Sequence, residues 1–335
     1  MSRVARAWIP VLSTAYAAIV RRRRERYAAR PDLRRRLRHP VVSIGNLAVG
    51  GRGKTPFVAT VARLLLAMGE RPAILSRGYG RRHPLDGVVV VRDPGGIRAD
   101  LDRSGDEPLM LARQVPGASV LVCPDRYLAG RLAEHHLGAT VHLLDDGFQH
   151  LQLDRDIDIV IIGRDDVDHP VTLPAGRLRE PIDTLIAADA IVTADDEVEV
   201  HDNEAGIPVF GSRRVLGEPL GLTRDQPVFA AAGIAHPDRF FADVRGSGWS
   251  VVGTRGFADH HRYSAADVAG LAREARAAGA AAILTTEKDY VRLRRFRPFE
   301  MVVTWAPLTM EPDPLPGFRH WLAGTLDAAR DITRV

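Results

Sequence analysis

Apolar positions along the chain fall into two regimes. The first is a run over 7–20 that holds Trp8, Ile9, Val11, Leu12, Tyr16, Ile19 and Val20 and is followed at once by Arg21, Arg22, Arg23 and Arg24. A membrane-spanning helix needs about 20 apolar residues, so this run is too short to cross comfortably. A cleaved leader carries its basic residues ahead of the apolar stretch; here they come after it, and no cleavage is expected. Two placements remain open: a helix lying in a membrane interface with its arginines on anionic headgroups, or an amphipathic helix packed on the protein's own body. A nucleic-acid arm is a minor third reading, because Tyr27 is the one aromatic interleaved with the arginines.

From Pro40 onward the pattern changes to short, continuous apolar runs at 41–44, 73–75, 88–91, 120–122, 141–144, 157–162 and 190–192, separated by helical stretches. Runs this short and unbroken predict strands buried on both faces, hence a mostly parallel α/β sheet. A polar segment at 195–204 interrupts the series, and 209–211 and 213–216 are expected to be two strands of a connector. The alternation then restarts with 228–232, a helix near 236–245, 250–252, a helix over 264–278, 282–284 and 301–305. Ser264 with Asp267 marks that second helix's start, and Gly279 its stop. The division expected is 1–38 as a basic membrane-associated helix, 39–210 as the core, 211–310 as a smaller α/β domain, and 311–335 as a C-terminal helix packing back on the core.

Charge sharpens the picture of the N-terminus. The chain has 335 residues and a net charge of +4, but its first 40 positions hold twelve arginines against two acids, so the rest is net acidic. The positive charge is a local arm. The single cysteine, Cys123, allows no intrachain disulfide and fits a reducing compartment.

The chemistry is concentrated after the first strand. Gly45-Asn-Leu-Ala48-Val49-Gly50-Gly51-Arg52-Gly53-Lys54-Thr55 lies between that strand and an apolar-periodic helix, the setting of a phosphate-binding P-loop. In such a loop backbone N–H groups from Ala48 to Thr55 cradle ATP phosphates, Lys54 reaches the β and γ phosphates, and the Thr55 hydroxyl ligates Mg²⁺. The strict pattern asks for Gly at position 48 and finds Ala48. Asp145 and Asp146 stand at the carboxyl end of a later buried strand, where open α/β sheets bind ligands, and one of them is expected to hold Mg²⁺.

These segments resemble one family. The extended loop ending in Thr55-Pro56, Ser76-Arg-Gly-Tyr-Gly80, Gly105-Asp-Glu-Pro108, Asp145-Asp-Gly-Phe-Gln-His150, Leu173-Pro-Ala-Gly-Arg-Leu-Arg-Glu-Pro181, Asp259-His-His261 and Thr286-Glu-Lys-Asp289 follow one another as the motifs of the lipid A 4'-kinases do. The resemblance implies a P-loop NTPase-type α/β/α core, a second smaller α/β domain on a two-stranded connector, and an N-terminal membrane-associated helix. It also implies transfer of the ATP γ-phosphate to the 4'-hydroxyl of tetraacyldisaccharide 1-phosphate to give lipid IVA, at the cytoplasmic face of the inner membrane, by a peripheral or monotopic protein. A monomer is expected, and no nucleic acid.

By the same resemblance Asp106 is the base and His260 its partner, with His261 left open. Arg77, Tyr79, Arg126, Gln149, His150, Arg179 and Glu180 are expected to line the active site, with Arg81 and Arg82 at the same cleft edge. Glu287, Lys288 and Asp289 are divided between a functional role and a structural ion pair. Two rival readings stay in view: a soluble P-loop enzyme acting on another hydroxyl or carboxyl, and a membrane-bound nucleotide switch. For the switch, Thr286-Glu-Lys-Asp289 is the nearest look-alike to a guanine-reading motif.

Overall fold

A computed structural model describes residues 3–82, 86–194 and 206–333; the polar segment expected at 195–204 lies outside them. Helix α1 (Arg3–Ala29) opens the chain. The core then alternates β1 (Val41–Asn46), α2 (Lys54–Ala67), β2 (Pro72–Ser76), β3 (Val89–Asp93), β4 (Gly96–Ile97), α3 (Leu101–Ser104), α4 (Asp106–Gln114), β5 (Ser119–Val122), α5 (Arg126–Leu137), β6 (Val141–Asp145), β7 (Ile157–Ile162), α6 (Arg164–Asp168), β8 (Ala190–Thr193) and β9 (Val209–Leu216). Every residue of β1, β2, β5, β6, β7 and β8 is buried, which is why those runs carry no polar alternation. Successive side chains point to opposite faces: Val42 and Ile44 join a core with α2 and α4, while Val41, Ala73 and Leu75 meet Ala129 and Ala133 of α5. The result is a three-layer α/β/α unit.

A second unit follows: β10 (Val228–Ala232), α7 (Pro237–Gly246), β11 (Val251–Gly256), α8 (Ala265–Ala277), β12 (Ala282–Thr286), α9 (Glu287–Leu293) and β13 (Val302–Ala306). Its four strands are parallel in the order β11-β10-β12-β13. Helix α8 begins where its cap predicts, with the Ser264 side chain accepting from the Asp267 N–H and Asp267 reciprocating.

The connector departs from expectation. Segments 209–211 and 213–216 form one continuous strand, β9, and its antiparallel partner is β14 (Leu308–Asp313), which returns from the second unit. The core sheet therefore has ten strands in the order β14-β9-β8-β7-β1-β6-β2-β5-β3-β4. The chain leaves the core through β9 and re-enters it beside the same strand. Helix α10 (Leu315–Thr333) then lies on the core, with Phe318 edge-on to Phe57 at 5.6 Å and to Phe210 at 5.1 Å between ring centres.

One face of α1 is packed on the core. Ser13 exchanges hydrogen bonds with Thr172 and accepts from the Ala175 N–H, Tyr16 donates to the Arg179 carbonyl, and Arg21 pairs with Asp183. Trp8, Val11, Leu12 and Ile19 recur at helical spacing on the other side and stay exposed, Ile19 at 68%. Among the described residues no helix is long and apolar enough to cross a membrane.

Candidate active site

The site begins at the carboxyl end of β1. Gly45 has no space for a side chain, since a Cβ there would stand 2.5 Å from the Phe148 Cβ. Gly53 adopts φ +79°, a left-handed turn directly before α2, and glycine takes that conformation without a Cβ clash. Ala48 explains why the strict loop pattern fails there. It bridges antiparallel to Leu178, the Val49 N–H donates to the Arg177 carbonyl and the Arg179 N–H to the Leu47 carbonyl, and the Ala48 methyl is buried beside Phe148 and Leu178. Position 48 extends the sheet, so it has no need of glycine.

Lys54, the first residue of α2, donates to Asn46 Oδ1 at 2.9 Å and stands 3.6 Å from Asp146 Oδ1. Arg179 grips Asp146 with both terminal nitrogens, at 2.8 and 2.7 Å, and also reaches the Asn46 carbonyl. Burial alone would raise the Asp146 carboxyl, but the Arg179 hydrogen bonds and the Lys54 charge outweigh it and hold it at about 2. Asp145 has the opposite balance: burial first, then the neighbouring charges of Glu107 and Asp146, push it up to about 7 against Lys54 and Arg126. Asp145 is thus a buried carboxylate beside two partly exposed ones, Asp146 and Glu107, and its charge is the least compensated of the three, a setting that a divalent cation relieves. Asp146 beside it is held by Arg179 and Lys54. Among the described residues no group of three His, Cys, Asp or Glu is arranged to hold a metal alone.

Asp106 is the first residue of α4 and 7% exposed. His260 Nδ1 lies 3.1 Å from its Oδ2, on a loop residue with φ +56°. His261 turns away, stacked on Phe257 and 3.3 Å from Asp267, so the geometry pairs Asp106 with His260. Burial acts to raise the Asp106 carboxyl, but the His260 hydrogen bond and the charges of Lys288 and Arg292 hold it far below the usual carboxylate range.

A cavity of about 830 Å³ joins the two halves, lined on the core side by the loop Ala48 to Thr55 and by Arg77, Tyr79, Arg126, Asp145, Gln149, His150 and Arg179. Its other wall holds His260, Lys288, Arg239 and Asp259 of the second unit. Tyr79 meets the His260 ring edge-on at 5.6 Å. His150 is pushed down to about 4 by burial and the Arg126 charge, so it faces the cavity as a neutral ring. Arg52 lines the cavity but its guanidinium is anchored to Asp166 at 2.7 Å. Arg81 bonds the Gly78 carbonyl and Arg82 pairs with Asp102, both away from the lining.

Glu180 is a correction. It does not line the cavity; it is 1% exposed and paired with Arg24 of α1 at 2.5 Å, with that guanidinium stacked over Phe148 at 4.3 Å. It anchors the N-terminal helix. The open question at 287–289 also resolves into contacts. Lys288 donates to Glu107 at 3.0 Å and faces His260 Nε2 at 3.3 Å, while Glu287 accepts from Gln114. Asp289, fully buried, accepts from the Gly233 N–H, Tyr263, Thr286 and Arg292. With Lys288 and Asp289 so engaged, neither is presented to read a guanine base. Arg292 was not singled out by sequence, although its spacing from Asp289 marks an i,i+3 pair on α9.

Residues 5–327 match the family model described as tetraacyldisaccharide-1-P 4'-kinase. Among similar proteins, a tetraacyldisaccharide 4'-kinase of Geobacter metallireducens is 41% identical over 309 residues, covering 88% of this chain and 90% of that one. One of Koribacter versatilis is 44% identical over 265 residues, covering 77% and 80%. The crystal structure of LpxK from Aquifex aeolicus in complex with ATP superposes with a TM-score of 0.79 at 30% identity, covering 94% of this chain and 97% of that one.

Proposed function

The chain belongs to the tetraacyldisaccharide-1-P 4'-kinase family, and on that premise we propose how its residues carry the reaction. It is a kinase of lipid A biosynthesis that transfers a phosphoryl group from ATP to the 4'-hydroxyl of a tetraacyldisaccharide 1-phosphate. The observation that carries the residue assignment is the pairing of Asp106 with His260, a residue that lines the same cavity as the phosphate loop.

The loop N–H groups and Lys54 hold the transferred phosphate, and Asn46 and Asp146 hold Lys54 in place. Mg²⁺, when bound with ATP, neutralises charge on the β and γ phosphates; Thr55 and the least compensated carboxylate, Asp145, are the residues that would hold it. Asp106 accepts the proton of the attacking hydroxyl, and His260 orients it. Arg77, Tyr79, Arg126, Gln149 and His150 line the same cavity as the loop, and arginine's planar fork suits the phosphates of either substrate. Because Asp106 belongs to the core and His260 to the second unit, the pair forms only while the two are docked, which limits idle ATP hydrolysis.

The exposed stripe of Trp8, Val11, Leu12 and Ile19 supports docking on a membrane surface. Helix α1 packs on the body through one face, and its exposed apolar face supports the reading of a lipid contact on the other. The soluble-enzyme reading required that apolar run to be covered by protein. With ATP as donor, the cytoplasmic face of the inner membrane is the place for it.

Transfer of labelled γ-phosphate to tetraacyldisaccharide 1-phosphate in detergent micelles tests this. Wild type makes labelled lipid, and Lys54→Ala lowers the rate by about 100-fold or more; ATP turnover with no labelled lipid would reject the assignment.

A further inference from the structure

Arg292 lies on α9 of the second unit, yet its guanidinium crosses to the core. Its Nε donates to Asp106 Oδ2 at 3.0 Å, and its Nη2 donates to the same oxygen. Its Nη1 is fixed from behind by the Gly233 carbonyl at 2.9 Å and by Asp289 at 3.0 Å, and Asp289 is itself held by Gly233, Tyr263 and Thr286. The arginine is therefore a buried, pre-set fork, 8% exposed at the side chain. Its effect on Asp106 is asymmetric. Oδ2 takes two guanidinium nitrogens and faces His260 Nδ1, whereas Oδ1 accepts from the Glu107 N–H. The neighbouring contacts Lys288 to Glu107 and Gln114 to Glu287 run along the same α4–α9 seam.

We propose that Arg292 is a positioning residue for the phosphoryl transfer: by gripping Oδ2 of Asp106 from across the unit boundary, it fixes the orientation of the carboxylate that receives the acceptor hydroxyl's proton. The proposal rests on Asp106 being the base. It makes the orientation of that base depend on α9 being seated against α4, so that a core residue is completed by the second unit. The groups facing Asp106 are Arg292 and His260 directly, with Lys288 beyond them and Glu107 next in the chain. Loss of the arginine leaves burial less opposed, so the carboxyl titrates higher and the acid limb of the pH profile moves to higher pH.

The test compares Arg292→Gln, Arg292→Lys, Asp106→Asn and the Asp106→Asn/Arg292→Gln pair in the full chain. Arg292→Gln is expected to lower kcat by about 100-fold with KM for ATP within about twofold, and to move the acid limb of kcat/KM upward. Arg292→Lys keeps the charge without the fork; it is expected to fold even if Arg292→Gln does not, and to lose about tenfold in kcat. The double variant is expected to be no slower than Asp106→Asn alone. If Asp106→Asn is inactive while both Arg292 variants stay within about threefold of wild type with an unmoved pH profile, the role of Arg292 is overturned and the base stands. If Asp106→Asn keeps full activity, the base assignment itself fails.

Discussion

Glu180 illustrates how one motif residue is recruited for assembly. It sits beneath α1 with Arg24 as its charge partner, and burial pushes its carboxyl up against the pull of that arginine. Breaking such a pair leaves a buried charge uncompensated, so Arg24→Met should cost about 3 kcal/mol, read as a loss in chemical denaturation at pH 7. The sign of the pH dependence follows. Without Arg24 the folded-state pKa of Glu180 rises further above its unfolded value, so the variant's deficit is small at low pH, where the carboxyl is protonated, and widens as pH rises through the folded pKa. A deficit that does not change with pH would assign the loss to the Phe148 stacking instead. Ala48 makes the matching point for the phosphate loop: the motif's missing glycine is a position where the backbone is already paired with Leu178.

At the scale of elements, α1 divides its labour between two faces. Ser13, Tyr16 and Arg24 bind the core, and Trp8, Val11, Leu12 and Ile19 look outward. Replacing those four by Ser should reduce co-sedimentation with vesicles of anionic lipid by about tenfold while leaving thermal unfolding of the soluble protein unchanged. Unchanged sedimentation would show that the apolar stripe is not the membrane contact. The helix could be read from sequence as amphipathic, but which face packs depends on contacts with Thr172, Arg179 and Asp183, more than 150 residues away. Buried strands were plain because parallel strands covered on both faces leave unbroken apolar runs. Strand β14 was not, since Leu308–Asp313 contains Glu311, Pro312 and Asp313 and becomes a strand only through pairing with β9.

For the molecule as a whole, the β9–β14 ribbon and the α4–α9 seam are among the places that tie the core to the second unit. The first is backbone pairing at a sheet edge; the second is a line of charges that ends at Asp106. The strand–loop–helix setting of Lys54 and Thr55 and the place of Asp145 and Asp146 at the end of a buried strand were legible from local pattern, and the pairing of Asp106 with His260 was expected from the family resemblance. Arg292 was not, because its significance lies in reaching 186 positions back along the chain. The Arg179 grip on both oxygens of Asp146 was not legible either, since nothing local announces it. The proposal that unites these parts is transfer to a single hydroxyl by a base assembled from both units. ³¹P and ¹H NMR of the lipid made from tetraacyldisaccharide 1-phosphate and ATP tests that most directly. Wild type should yield one new phosphomonoester at the 4' position, and Asp106→Asn should make it about 100 to 10,000 times more slowly with ATP binding retained. A phosphate at any other position, or an Asp106→Asn enzyme as fast as wild type, would contradict the account.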